Sequence, residues 1–162
     1  MRVVAGLIGS CLLAAFGAPA AEAASTHTLP GSIDGFWIDS DGEVILQVLP
    51  CGIARCAYVA WLKQPNGADG KPLLDFRNPD TTKRGKRVCG MRVITGFKPQ
   101  KSGIWGGGTV YVPDAGSTFS GYAEVLGPKQ IKVTGYVVLS FFGSSEVWTR
   151  TNPPPGHCVP SP

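Results

Sequence analysis

Histidine is nearly absent from this chain: there are two in 162 residues, His27 near the start and His157 near the end. Both lie outside every segment that reads as regular structure, which argues against a His-dependent triad or a His-based metal site within the domain. Charge is also sparse, at 16% of residues with a formal net charge of +4, too little to imply a nucleic-acid partner. No apolar run reaches the roughly 20 residues that span a bilayer as a helix. Long helices are disfavoured as well, because 22 glycines and 14 prolines would break a helical bundle and instead suit an all-β domain with many turns.

The one extended apolar run, residues 3–16, follows the positive Arg2 and precedes Ala18-Pro19-Ala20 and Ala21-Glu22-Ala23, two cleavage-type patterns of small residues. Residues 1–23 therefore read as a secretory signal peptide, which makes the protein exported, periplasmic or extracellular, and not transmembrane. Cys11 follows Ile8-Gly9-Ser10 in the manner of a lipoprotein signal, but cleavage there would leave Leu12 to Ala15 as an apolar start, so the soluble form is favoured. Four cysteines then remain, Cys51, Cys56, Cys89 and Cys158, and an even number in an exported chain points to disulfides. Cys51 and Cys56 flank the tight connection Gly52-Ile53-Ala54-Arg55 and are paired on that ground; Cys89 takes Cys158 by elimination.

Residues 24–34 are small, polar and unpatterned, a flexible lead-in. From Gly35 to Thr151 short runs rich in Val, Ile, Tyr, Thr, Phe and Trp alternate with turn residues. Gly35-Phe36-Trp37-Ile38 opens the first strand, Asp39-Ser40-Asp41-Gly42 is a hairpin signal, and residues 43–49 form the second strand, ended by Pro50. Further strands are read at 57–62, 92–97, 105–112, 118–125, 131–137 and near 144–151. In the sixth, Phe119, Gly121, Ala123 and Val125 share one face; in the seventh, Ile131, Val133, Gly135 and Val137 do. Small residues on these inward faces fit either a spacious interior or room for bulky neighbours. Eight strands in sequential order, with short connections except at 63–89, predict an up-and-down antiparallel barrel closed on itself, which leaves no sheet edge exposed. Within the long connection Asn78-Pro79-Asp80 fits a single helical turn, with Asn78 as its cap and Pro79 in first position. Residues 152–162 form a proline-rich, extended tail.

Gly35-Phe36-Trp37 at the start of the barrel and Trp148-Thr149-Arg150 at its end resemble the lipocalin and wider calycin pattern, in which a tryptophan plugs one end beneath an arginine. On that resemblance Trp37, Trp148 and Arg150 are expected to close the barrel. The whole domain also resembles a bacterial exported family, domain of unknown function 2147. The resemblance is carried by Asp41-Gly42-Glu43, the turn from Cys51 to Cys56, Val59-Ala60-Trp61-Leu62, Asp75 with Asn78-Pro79-Asp80, Gly96-Phe97, Tyr111-Val112-Pro113, Phe119-Ser120-Gly121, Lys132-Val133-Thr134-Gly135-Tyr136 and Phe142-Gly143. It implies a lipocalin-like barrel in the cell envelope without an established activity. The chain departs from the pattern at Cys89 and Cys158, so the resemblance lends no support to that bridge.

Chemistry is thinly represented. No catalytic constellation, metal site or cofactor motif is present. The paired carboxylates Asp75 with Asp80 and Asp41 with Glu43 read as turn and cap residues, so an enzyme is not expected. The expected function is the binding of a small apolar or amphipathic molecule, with Trp61, Trp105, Tyr111, Tyr136 and Phe142 as candidate pocket residues and residues 63–89 as a lid holding Asp75, Asn78 and Asp80. The alternative is an envelope scaffold with a solid core that meets a protein or anionic lipid through its outer surface and the basic loop 83–92. In that loop Lys83, Arg84, Lys86 and Arg87 are the candidate anionic contacts. The loop lacks the interleaved aromatics of a single-strand nucleic-acid binder.

Overall fold

The computed structural model describes residues 31–101, 103–136 and 143–161. The signal segment, His27 in the first part of the lead-in, and Phe142 lie outside the described residues. Eight strands, β1 (Gly35–Ile38), β2 (Val44–Cys51), β3 (Ala54–Leu62), β4 (Arg92–Pro99), β5 (Ile104–Val112), β6 (Ser117–Gly127), β7 (Gln130–Tyr136) and β8 (Gly143–Thr151), follow one another around a closed barrel. Every neighbouring pair is antiparallel, and β8 returns to β1 through Phe36 with Thr151, Trp37 with Arg150 and Ile38 with Thr149. The architecture is the one that the alternating pattern predicts.

Strand boundaries shift most at the β2–β3 hairpin, where β2 ends later and β3 begins earlier than the sequence reading has them. Proline does not end β2, which runs on to pair Pro50 with Arg55 and Cys51 with Ala54, leaving a two-residue turn at Gly52-Ile53. The reason is that β2 outruns β1, whose last partner is Val48. Past that point β2 has a neighbour on one side only, and sheets tolerate proline there. The bridge between Cys51 and Cys56 staples the resulting hairpin.

Trp37, Leu46, Val48, Ala57, Val59, Phe97, Trp105, Ala123, Ile131 and Trp148 point inward as one apolar cluster. The small inward residues make room for large ones. A methyl added at Gly121 would stand 2.5 Å from Val110 Cγ2 and 3.3 Å from Phe97 Cζ. The small cavity between Ile33, Val48, Phe97 and Ile131 measures about 10 Å³, close to the least that one water needs.

Residues 31–34, expected in the flexible lead-in, are instead a fixed plug. Ile33 is 2% exposed and belongs to the core. Trp105 Nε1 donates to Gly31 O at 3.0 Å and Trp37 Nε1 to Ile33 O at 2.8 Å. Arg150 Nη1 donates to Asp34 O at 2.8 Å, Nη2 to Ser32 O at 3.3 Å, and Nε to Pro128 O at 3.0 Å. Its guanidinium lies 4.2 Å from the Trp37 ring centroid, while Arg55 covers Trp105 at 5.2 Å and pairs with the Asp34 carboxylate. The glycine before Phe36-Trp37 is explained by the same knot: Gly35 has φ +116°, and a methyl there would come within 2.8 Å of Arg150 Nη1.

The tail is docked rather than free. Pro154 is buried, His157 lies edge-on to Phe36, Cys158 N donates to Ala60 O, and Ser161 N donates to Gly90 O. The bridge from Cys158 to Cys89 ties it to the end of the long connection.

Replacing Arg150 by lysine keeps the charge but loses the planar fork that reaches three carbonyls. The expected cost is about 1–2 kcal/mol, read as a lower urea midpoint at constant m-value. An unchanged midpoint would show that the knot contributes nothing to stability.

Candidate functional site

The long connection between β3 and β4 is organised by a carboxylate. Leu73 to Asp75 and Lys86 to Val88 run antiparallel, with Leu74 opposite Arg87, Val88 N donating to Leu73 O and Asp75 N donating to Lys86 O. In that ladder Leu74 and Arg87 share one face, and Asp75 and Val88 take the other. Val88 packs on the barrel core, and Asp75 is 1% exposed. Its Oδ1 accepts from Tyr111 Oη at 2.6 Å and its Oδ2 from Asn78 Nδ2 at 2.6 Å.

Tyr111 is near the end of β5, and its neighbour Val110 faces inward, towards Gly121. By alternation Tyr111 is on the outer wall. Asp75 therefore fastens the connection to the outside of β5. The clasp extends to the β5–β6 turn, where Arg77 Nη1 donates to Asp114 O at 2.7 Å.

Asn78 spends its side chain on this clasp, so the cap of the following turn moves to Asp80. Asn78 Oδ1 accepts from Asp80 N, and Asp80 Oδ1 accepts from Thr82 N and Thr82 Oγ1 ahead of a single 3₁₀ turn, Thr81–Lys83. The Thr82 hydroxyl, then Lys83, holds the Asp80 carboxyl down to about 2. The Asp75 and Asp80 carboxylates thus share no hydrogen-bond donor, and Asn78 stands between the two residues. The other carboxylate pair is divided too, since Glu43 Oε1 takes Lys63 Nζ at 2.7 Å. Among the described residues no three His, Cys, Asp or Glu side chains cluster where they would hold a metal ion.

The candidate pocket aromatics are not brought together. Trp105 is in the closed-end core, and Tyr111 is in the clasp. Trp61 pairs with Ile45, which pairs with Ile38; this row alternates with the inward Trp37 and Leu46 and so lies outside. Tyr136 is 39% exposed on β7. Arg150 stacks on Trp37 at the closed end, and Trp37 and Trp148 belong to one core cluster.

On the outside an open groove of about 310 Å³ runs between Gln100 and Lys101 of the β4–β5 turn, Gly106 and Gly107 of β5, and the rings of Tyr122 and Tyr136. The two rings are 6.3 Å apart. Nothing in the sequence pattern marked this groove except the pair Gly106-Gly107, whose lack of side chains leaves the floor bare. The basic loop is exposed from Thr81 to Arg87. Lys83 pairs with Asp80 at 2.9 Å and Arg84 Nε donates to Asn78 O at 2.8 Å; among the described residues Lys86 and Arg87 have no ion pair.

A closed eight-stranded antiparallel barrel, plugged by a tryptophan under an arginine, is a lipocalin-like fold. Among solved structures the chain is similar to the protein HP1028 from the human pathogen Helicobacter pylori, described as belonging to the lipocalin family. The TM-score is 0.63 and the identity 16%, over 75% of this chain and 84% of that one. The family described as an uncharacterized protein conserved in bacteria, DUF2147, matches residues 35–150, and the chain belongs to it. No curated protein matches the chain in sequence.

The clasp makes a spectroscopic and a thermodynamic prediction. Burial first, then the bond to Asp75, pushes the Tyr111 hydroxyl up to about 12. A folded value raised above the unfolded one, about 10, contributes stability that is complete below pH 10 and lost as pH rises towards 12. An ultraviolet titration should show one of the four tyrosines ionising near pH 12, and Tyr111→Phe should remove that step. The same variant leaves a buried carboxylate oxygen without its donor and should lower stability by about 1–3 kcal/mol in urea unfolding. Four tyrosines all ionising near pH 10 would contradict the clasp.

Proposed function

We propose that this protein is an exported, non-enzymatic binding module of the bacterial cell envelope that works from its outer surface. The observation that carries this reading is the filled interior at the closed end, where about 10 Å³ remains against about 310 Å³ in the outer groove. A drug-sized ligand needs a recess of roughly 300 Å³ or more. The attachment of the long connection to the outer wall of β5 also supports it, because a lid tied there by a buried carboxylate is poorly suited to opening for cargo. Export is supported by the two disulfides, which persist in oxidising compartments, together with the signal-like first segment. The absence of enzymatic function is supported by carboxylates that are dispersed and already engaged in caps and clasps.

Carriage of a small apolar or amphipathic molecule inside the barrel is the second reading, favoured by the lipocalin-like architecture. Native mass spectrometry of protein prepared from the exported fraction separates the two. The surface reading expects the native and denatured masses to agree. A bound mass lost on denaturation, and still retained by Tyr122→Ala in the outer groove, would favour internal carriage and sink the surface reading.

A further inference from the structure

The long connection exposes apolar side chains where a free solvated loop would have none. Leu74 is 41% exposed and Phe76 63% exposed, on either side of Asp75, which is 1% exposed. Leu74 alternates with Asp75 in the short ladder and so faces out when Asp75 turns inward to Tyr111 and Asn78, while Phe76 stands at the second position of the turn that Asn78 N closes on Asp75 O, which carries its ring into solvent. The cost of burying a carboxylate is thus tied to holding two large apolar groups in water, and contiguous apolar exposure of that kind marks an interaction surface.

The surroundings of these groups are strongly of one sign. Arg87 shares their face as the cross-strand partner of Leu74, and the Arg77 guanidinium lies 5.4 Å from the Phe76 ring centroid. Lys83, Arg84 and Lys86 follow in the same exposed stretch, against the half-buried Asp80, already paired with Lys83, and the exposed Asp114, whose backbone carbonyl accepts from Arg77. Five cations with a small apolar wedge between them match a surface that carries fixed negative charge over an apolar layer. That is an anionic lipid bilayer.

We propose that residues 74–87 form a membrane-surface docking site, in which Phe76 and Leu74 enter the interface while Arg77, Lys83, Arg84, Lys86 and Arg87 contact phosphate headgroups. This deepens the surface-module reading and rests on it. Rigid clasping is part of the device: the bridge from Cys89 to Cys158 and the Asp75 clasp hold the wedge at a fixed angle, so little ordering is lost on docking.

The test is co-sedimentation of the full protein with vesicles of phosphatidylcholine alone or mixed with phosphatidylglycerol. Binding is expected to the anionic vesicles only and to fall steeply in 1 M salt. Each of Lys86→Gln and Arg87→Gln should weaken it about fivefold. Phe76→Ala should weaken it about fivefold or more while leaving the salt dependence in place. All three side chains are exposed, so unchanged thermal melting should accompany the loss. Absent binding, equal binding to both vesicle types, or variants that bind like the parent would overturn the proposal. So would loss of a captured protein partner in these variants with vesicle binding intact. Failure here with matched native and denatured masses removes the membrane and keeps the surface module, whereas a retained internal ligand removes the module itself.

Discussion

The guanidinium of Arg150 stacked on Trp37 is the contact on which the rest of the barrel depends. It is made between the first strand and the last, so it forms only when the sheet has closed. It also fixes the segment before β1, since the carbonyls of residues 31–34 are divided between Arg150, Trp37 and Trp105. Each of these bonds alone is worth about 1 kcal/mol. Together they convert a loose lead-in into a stopper, with Ile33 as the apolar body that fills the end. Gly35 belongs to the same arrangement, as the residue without a side chain at the point of closest approach.

At the opposite end the organising group is a carboxylate. Asp75 is held by two short hydrogen bonds and sits among the most buried side chains of the protein. Its consequences run outward in both directions along the chain. Asn78 is taken from the helix cap it would otherwise supply, Asp80 replaces it, and the basic stretch that follows is carried on a rigid turn. Leu74 faces solvent beside Asp75 in the short ladder, and Phe76 does so on the turn that follows. A barrel filled at one end and clasped on its wall at the other is the geometry behind the proposed surface role. The Tyr122 and Tyr136 groove and the apolar-basic patch are the two surfaces that present themselves.

The strands were legible because alternation and turn chemistry agree along β1 to β8, and because a Gly-X-Trp at one end and a Trp-Thr-Arg at the other point to closure. An even cysteine count pointed to disulfides, the short spacing of Cys51 and Cys56 across a tight turn paired those two, and Cys89 with Cys158 followed by elimination. Less local features were not legible. Residues 31–34 lack periodicity, and their order comes from side chains on β1, β5 and β8, of which Arg150 on β8 lies more than a hundred residues away in sequence. The cap was assigned to Asn78 because its competing partner, Asp75, becomes a partner only when Tyr111 buries both. Trp105 and Tyr111 looked like pocket aromatics because sequence shows that a residue is large and amphipathic, and not which group meets its polar end. Gly121 was open to two readings, and the contact of Val110 and Phe97 across it decides for packing.

Titration of the mature protein with a fluorescent long-chain fatty-acid analogue, followed by energy transfer from tryptophan, tests the central claim most directly. A barrel packed around Trp37, Trp105 and Trp148 predicts no saturable transfer at one probe per protein. Saturable one-to-one binding that quenches these tryptophans, and that is unchanged by Tyr122→Ala on the outer wall, would contradict it.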